Sequence, residues 1–196
     1  MTDDEILEEF RAAEALLEGH FILSSGLRSP RYLQCARVLM DPPRAGRLAT
    51  ALAAKLPAEV RDGVDAIVSP AMGGVIIGHE MGRALGKRAM FVERPEGKFG
   101  LRRGFSLEPD ERVLLVEDVI TTGLSSREAI AAIEEAGGKV IGAACLVDRS
   151  SSTADLGVPL TALIRIDVPT FSVEDLPEEL AAIPAIKPGS PRVPPA

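Results

Sequence analysis

Apolar residues recur along this chain at two spacings, one helical and one strand-like, and their order sets out a fold. Within residues 3–17, Ile6, Leu7, Phe10, Leu16 and Leu17 form one stripe with Glu5, Glu8, Glu9 and Glu14 outside it, which predicts an amphipathic helix ended by Gly19-His20. Residues 21–23 and 32–39 read as two short strands joined by the turn chemistry of Ser24-Ser-Gly-Leu-Arg-Ser-Pro30. Helical spacing returns over 43–56, with proline near its start. Strand and helix then alternate: strand 64–69 and helix 74–85, strand 88–92 and a polar stretch rich in Gly and Arg, strand 112–116 and helix 125–135 closed by Gly137-Gly138, and finally strands 140–147 and 160–166. From Asp167 onward, prolines at 169, 177, 184, 188, 191, 194 and 195 predict a surface-wrapping segment with a frayed end.

Short apolar strands alternating with helices imply an α/β domain, its mostly parallel central sheet flanked by helices on both faces. In open sheets of this kind, ligands collect at the carboxyl ends of the strands. Four polar stretches fall at those ends: residues 69–74, 93–103, 117–126 and 148–149.

Composition bounds the rest. The 196 residues suffice for one such domain with a small addition. A hydrophobic fraction of 46% with only 4% aromatics predicts a core of Leu, Ile, Val and Ala. No run approaches the roughly 20 apolar residues of a membrane helix. The acidic opening Met-Thr-Asp-Asp-Glu has the wrong sign for a signal or transit peptide, so a soluble, cytoplasmic protein is expected. A net charge of −7 argues against nucleic-acid binding. Cys35 and Cys145 have neither CxxC spacing nor a histidine cluster nearby, and are expected as buried, reduced thiols.

The most informative stretch is Val113-Leu-Leu-Val-Glu-Asp-Val-Ile-Thr-Thr-Gly-Leu-Ser-Ser126. An apolar run ends in Glu117 and Asp118; Thr121, Thr122, Gly123, Ser125 and Ser126 follow as helical spacing begins. Amides at a helix start lack partners and carry partial positive charge. Gly123 lets backbone approach a phosphate, and the hydroxyls can donate to its oxygens. The two carboxylates have the wrong sign for phosphate and suit sugar hydroxyls. Together these groups form a layout for holding a ribose 5-phosphate. Plain Ser/Thr capping after an acidic turn explains only part of the string.

The other stretches each admit two readings. Ser69-Pro-Ala-Met-Gly-Gly74 suits a second anion nest and equally a tight strand-to-helix connection. His79-Glu80 continues as Met-Gly-Arg, which is not the HExxH metal pattern, so His79 reads as a helix-surface or satisfied core residue. In residues 93–104, Gly97, Gly100 and Gly104 allow mobility while Arg94, Lys98, Arg102 and Arg103 supply cations, giving a mobile cationic lid or a solvated basic hairpin. Arg149 can fork onto a planar carboxylate or carbonyl edge, or pair with Asp148 or Asp155. Neither GxGxxG nor a Walker A motif is present, which removes a plain dinucleotide or P-loop domain.

The run from Val113 to Gly123 resembles the phosphoribosyl pyrophosphate (PRPP) motif of type I phosphoribosyltransferases, and Gly19-His-Phe-Ile-Leu-Ser-Ser-Gly-Leu-Arg-Ser-Pro-Arg-Tyr32 resembles the N-terminal hood of the orotate branch. The order of motifs matches over about residues 5–170. The resemblance implies the type I phosphoribosyltransferase fold, divided into a helix and hood (1–40), a PRPP-binding core (41–170) and a proline-rich segment (171–196). It implies transfer of phosphoribose from PRPP to orotate, with Mg²⁺ held mainly through PRPP rather than by protein ligands, in a homodimer whose lid loop reaches the other subunit. Glu117 and Asp118 would take the ribose hydroxyls, and Val119, Ile120, Thr121, Thr122, Gly123, Leu124 and Ser125 the 5'-phosphate. Met72, Gly73 and Gly74 would hold pyrophosphate. Lys98, with Arg94, Arg102 and Arg103, would close over the leaving group and complete the catalytic set with the acidic pair. Thr121, Arg149 and Arg28 would contact orotate, Ser25 lying in the same hood loop. The chain departs from the pattern where Pro95 follows Arg94, where the lid lacks a histidine, and where Arg28 replaces a common lysine. A purine or uracil phosphoribosyltransferase would need a different hood. An RNA-binding regulator that senses PRPP is opposed by the acidic balance.

Overall fold

The computed structural model describes residues 1–23, 26–95, 97–150 and 154–187. Helix α1 (Asp3–Ala12) opens with a capping box: Thr2 Oγ1 accepts from the Glu5 N–H at 3.2 Å, and Glu5 Oε2 accepts from the Thr2 N–H at 2.8 Å. The helix expected over residues 3–17 stops at Ala12. Glu14 takes a φ of +48°, which helical backbone cannot continue. Leu16 and Leu17 belong instead to strand β1 (Leu16–Ile22), paired antiparallel with β2 (Arg28–Leu33). The second expected strand also ends early: Cys35–Leu39 is a helix, α2, burying Cys35, Val38 and Leu39. Those three positions are spaced i, i+3, i+4, a helical stripe hidden by the β-type residues before it.

Helix α3 (Pro42–Lys55) starts where expected, with Asp41 Oδ1 accepting the Arg44 N–H at 2.9 Å and proline in the first turn. A short helix α4 (Ala58–Gly63) follows that periodicity did not reveal, six residues being too few to show a stripe.

The remaining elements are β3 (Ala66–Pro70), α5 (Gly73–Leu85), β4 (Arg88–Glu93), β5 (Gly100–Leu101), β6 (Arg112–Ile120), α6 (Leu124–Glu135), β7 (Lys139–Asp148) and β8 (Leu160–Arg165). Their strands form one sheet in the order β5-β4-β3-β6-β7-β8, parallel throughout except where β5 returns antiparallel on β4. Strand residues alternate between two apolar layers, as a pleated sheet requires. Leu114 and Val116 face Leu48, Leu52, Ile77 and Met81 of α3 and α5, and Ile6 and Phe10 of α1 join that layer. Val113 and Leu115 face Ala129, Ile130 and Ile133 of α6. Covering both faces leaves the carboxyl ends of β3 and β6, adjacent at the sheet's centre, as the place for a cleft.

Strand β6 runs four residues past its expected end at 116, so Glu117 and Asp118 lie on the strand rather than after it. Beyond β8 the chain returns to the hood. Phe171 exchanges backbone hydrogen bonds with Arg28 (2.8 and 2.9 Å), helix α7 (Glu178–Ala181) follows, and Ile186 bonds to Ile22 and His20 (2.9 and 2.8 Å). The prolines at 188, 191, 194 and 195 lie outside the described residues. Among the described residues, no helix is long and apolar enough to cross a membrane.

Candidate active site

A cavity of about 380 Å³ opens at the carboxyl ends of β3 and β6, walled by Pro70, Ala71 and Gly73, by Phe99, and by residues 117–126. The Ala71–Met72 peptide is cis, and the Ala71 N–H donates to Val92 O at 2.9 Å. Close approach explains the two glycines that follow. A Cβ on Gly74 would meet Val116 O at 2.8 Å. The tight connection and the anion-facing nest are thus compatible, because α5 begins flush against β6 with its first amides at the cavity edge. Met72 is not part of the cavity wall; its side chain is 82% exposed.

Glu117 and Asp118 form the acidic floor. Burial pushes the Glu117 carboxyl up to about 8, and the neighbouring Asp118 charge adds to the rise. Burial raises Asp118 as well, opposed by the Val119 N–H. Neither carboxylate has an ion-pair partner among the described residues, though the chain carries 22 Lys and Arg. Desolvated carboxylates without cations call for hydroxyl donors or a hydrated cation carried in with a ligand. The described residues contain no cluster of three or more side chains able to hold a metal by themselves.

Facing the doublet, the chain turns into α6. Thr121 and Thr122 are exposed, and Gly123 is the N-cap in the left-handed region (φ +73°). A Cβ there would meet Leu156 Cδ2 at 2.7 Å, so backbone alone fits. Gly123 offers no side-chain cap, the Leu124 N–H donates to Thr122 Oγ1 at 3.4 Å, and the first turn of α6 lines the cavity with Ser125 and the buried Ser126. Val119, Ile120 and Leu124 complete this wall.

The lid segment is a β4–β5 hairpin folded against α6. Arg94 pairs with Glu128 and stacks 4.1 Å over the Phe99 ring. Lys98 Nζ lies 2.9 Å from Glu135. Arg103 pairs with Glu93 at 2.7 Å, and Arg102 is exposed. Glu135 ends α6, ten residues beyond Ser125, so at the helical rise it stands roughly 15 Å from the phosphate-type turn. The structure therefore does not bring Lys98 to the doublet, and among the described residues of the hairpin Phe99 alone lines the cavity. Phe99, Pro70 and Ala71 were not singled out from the sequence. Their role is shape, for which no charge or hydroxyl pattern gives a signal. Glu96 lies outside the described residues.

On the hood side, the Arg149 N–H donates to Ile120 O at 2.8 Å, and its buried Nε has no hydrogen-bond partner among the described residues. Burial lowers its pKa, against the pull of nearby Tyr32 and Cys35. The ion-pair alternative for Arg149 fails at Asp148, whose buried carboxylate is held by Arg165 at 3.2 Å and by the Ser150 hydroxyl at 2.6 Å. Arg28 also keeps buried guanidinium nitrogens, Nε and Nη1, without partners among the described residues. It shares a face of β2 with Tyr32, whose influence on Arg149 puts the hood near the end of β7; neither arginine lines the cavity itself. Cys35 is buried between Asp118 and Arg149; burial and the Asp118 charge push its thiol up, as expected of an inert cysteine. His20 is buried with Nδ1 donating to Ile183 O at 2.9 Å, a structural role. His79 is exposed on α5. Ser25 lies outside the described residues.

A helix-flanked, mostly parallel sheet with an acidic doublet facing a glycine turn at a helix start matches the layout of a phosphoribosyltransferase fold. Residues 39–158 match the family model of the phosphoribosyl transferase domain, and the chain belongs to that family. The chain is 74% identical to orotate phosphoribosyltransferase of Rhizorhabdus wittichii over 97% of both chains, and 68% identical to that of Novosphingobium aromaticivorans over 97% of this chain and 98% of the relative. Among solved structures, orotate phosphoribosyltransferase from Aeropyrum pernix superposes with a TM-score of 0.68 at 28% identity, over 82% of this chain and 93% of that one.

Proposed function

We propose that this chain transfers the 5-phosphoribosyl group of PRPP to orotate, giving orotidine 5'-monophosphate and pyrophosphate, a step of de novo pyrimidine synthesis. The observation that carries the proposal is the single cavity wall running from the buried, unpaired carboxylates of Glu117 and Asp118 to the left-handed Gly123 turn at the start of α6. The near-full-length identity to orotate phosphoribosyltransferases supports orotate as acceptor.

In this reading Glu117 and Asp118 take the ribose 2'- and 3'-hydroxyls, and amides and hydroxyls from Thr121 to Ser125 take the 5'-phosphate. Gly73 and Gly74 present backbone to the pyrophosphate. The orotate carboxylate and carbonyl edge meet the unpartnered nitrogens of Arg149 and Arg28, whose buried charges then gain a counter-ion. The C1'–oxygen bond to pyrophosphate breaks as the anionic N1 of orotate bonds to C1', so no strong protein base is needed. Positive charge spreads over C1' and the ring oxygen while negative charge gathers on pyrophosphate, where Arg94, Lys98, Arg102 and Arg103 stabilise it once the lid closes. Mg²⁺ would be held mainly through PRPP, with Glu117 and Asp118 as the carboxylates that would steady it through ribose hydroxyls and water, and would supply charge neutralisation on the diphosphate.

The homodimer belongs to the same proposal. Met72 and Ile76, one turn apart at the start of α5, are exposed apolar side chains, a surface suited to a second copy whose lid could reach across.

Pyrophosphate release from PRPP and Mg²⁺, measured with orotate, uracil, adenine and hypoxanthine in turn, tests the reaction. Orotate should be the productive acceptor. Preference for any other base overturns the assignment, and turnover undiminished by chelator overturns the role of Mg²⁺. Sedimentation of the free chain tests the dimer.

A further inference from the structure

Arg127 lies in the first turn of α6 and takes no part in the chemistry above. Its backbone N–H donates to Gly123 O at 2.9 Å. Its side-chain Nη1 donates to Thr122 O at 3.1 Å and to Asp155 O at 3.2 Å. One residue thus holds two consecutive carbonyls of the turn. A trans peptide is planar and its N–H points opposite its C=O. Fixing the Thr122 carbonyl toward Arg127 therefore fixes the Gly123 N–H away from it, on the side of the cavity that these residues wall, while the Leu124 N–H meets Thr122 Oγ1 at 3.4 Å.

The third bond extends the effect. Asp155 belongs to a ledge under the turn. The Asp155 carboxylate accepts the Gly157 N–H at 3.0 Å, and Leu156 is buried beneath Gly123, where a Cβ would come within 2.7 Å of it. The same connection leaves β7 directly after Arg149. The guanidinium spans both segments and packs over the turn, Nη1 being 3.1 Å from the place of a Gly123 Cβ.

We infer that Arg127 is a positioning residue: it orients the Gly123 amide of the Thr122–Leu124 turn toward a sugar 5'-phosphate and fastens that turn to the ledge behind it. The inference rests on the assignment of this turn to the 5'-phosphate. A neutral substitute keeps the backbone bond to Gly123 O and leaves the Thr122 and Asp155 carbonyls at an exposed site where water can satisfy them, so the fold survives and the Gly123 amide direction loosens.

The test is calorimetric binding of ribose 5-phosphate and, separately, of pyrophosphate to the whole chain and to Arg127→Met and Arg127→Lys. Arg127→Met should weaken ribose 5-phosphate about tenfold, the scale of one or two lost hydrogen bonds, and leave pyrophosphate within about twofold. In turnover, KM for PRPP should rise more than kcat falls. Arg127→Lys, whose ammonium can reach one carbonyl, should recover part of the affinity; it carries the test by itself if the Met variant does not fold. Unchanged ribose 5-phosphate binding in either variant, or equal losses for both ligands, overturns the positioning role. A wild-type chain that binds pyrophosphate but not ribose 5-phosphate overturns the phosphate assignment itself, independently of Arg127.

Discussion

A Cβ placed on Gly73 would lie 2.6 Å from Oδ1 of Asp118. Two stretches 45 residues apart in the chain therefore share one spot: the helix start proposed for pyrophosphate touches the carboxylate proposed for the ribose. The contact places the anionic side chain against the positive end of α5. It also means that any side chain at position 73 would displace Asp118. Gly73→Ala should push Asp118 off its position, raising KM for PRPP by about tenfold or more, with a melting midpoint close to wild type because the displaced side chain borders the cavity. An unchanged KM would separate the two groups functionally.

The β4–β5 segment touches the cavity through Phe99 while Lys98 is drawn away from the doublet, held by Arg94–Glu128 and Lys98–Glu135. The Lys98 pair is largely exposed on both sides, and such pairs contribute only about 0.2–1 kcal/mol. Closure over pyrophosphate can therefore break them readily. Neutralising both partners, Glu128→Gln with Glu135→Gln, should tighten pyrophosphate binding by up to about tenfold at low salt and by less at high salt. Looser binding in that double variant would show that α6 does not compete for the lid.

Lys98→Gln should lower kcat by more than about tenfold, because the lost charge acts mainly on the leaving group in the transition state. Orotate KM should change little. Turnover within about twofold of wild type would remove Lys98 from the chemistry.

Glu117 titrates near 8 in the folded chain against an ordinary 4.5, so between those values the folded state binds more protons than the unfolded one. The stability tied to this group is whole at acid pH and is lost as pH rises through about 8, with a magnitude on the order of a few kcal/mol. Glu117→Gln cannot lose that proton. Its melting midpoint, compared with wild type, should rise as pH goes from about 5 to about 8.5 in the absence of ligand. A difference that stays flat across that range would contradict a buried, unpaired carboxylate.

Arg149→Lys keeps the charge but not the fork, and should raise KM for orotate by about tenfold while KM for PRPP stays within about twofold. Equal rises in both constants would place Arg149 outside the base site.

The parallel core was legible because each of its strands is an apolar run bounded by turn residues, and both faces of the sheet are covered. The hood was less so. Leu16 and Leu17 continue the stripe of α1, and nothing local announces that Glu14 turns the chain into a strand. Cys35 to Leu39 follow β-type neighbours, and their i, i+3, i+4 stripe is too short to stand out from that strand-like run. In the site, Glu117, Asp118 and Gly123 announced themselves through charge and conformational need, whereas Phe99 and Arg127 did not. A wall residue acts by shape, and a residue that grips backbone carbonyls answers to no side-chain pattern.

The chain's own order of residues determined the layered sheet, the acidic doublet with its hydroxyl turn, and the cations of the lid, because periodicity and local chemistry are written over a few positions at a time. Tertiary structure alone decided that Gly73 abuts Asp118, that Lys98 rests on Glu135 instead of the cavity, and that Asp148 is already engaged by Arg165, leaving Arg149 without that partner. Each of these joins segments brought together by sheet order and helix packing, and contact between distant segments leaves no periodic trace in either one.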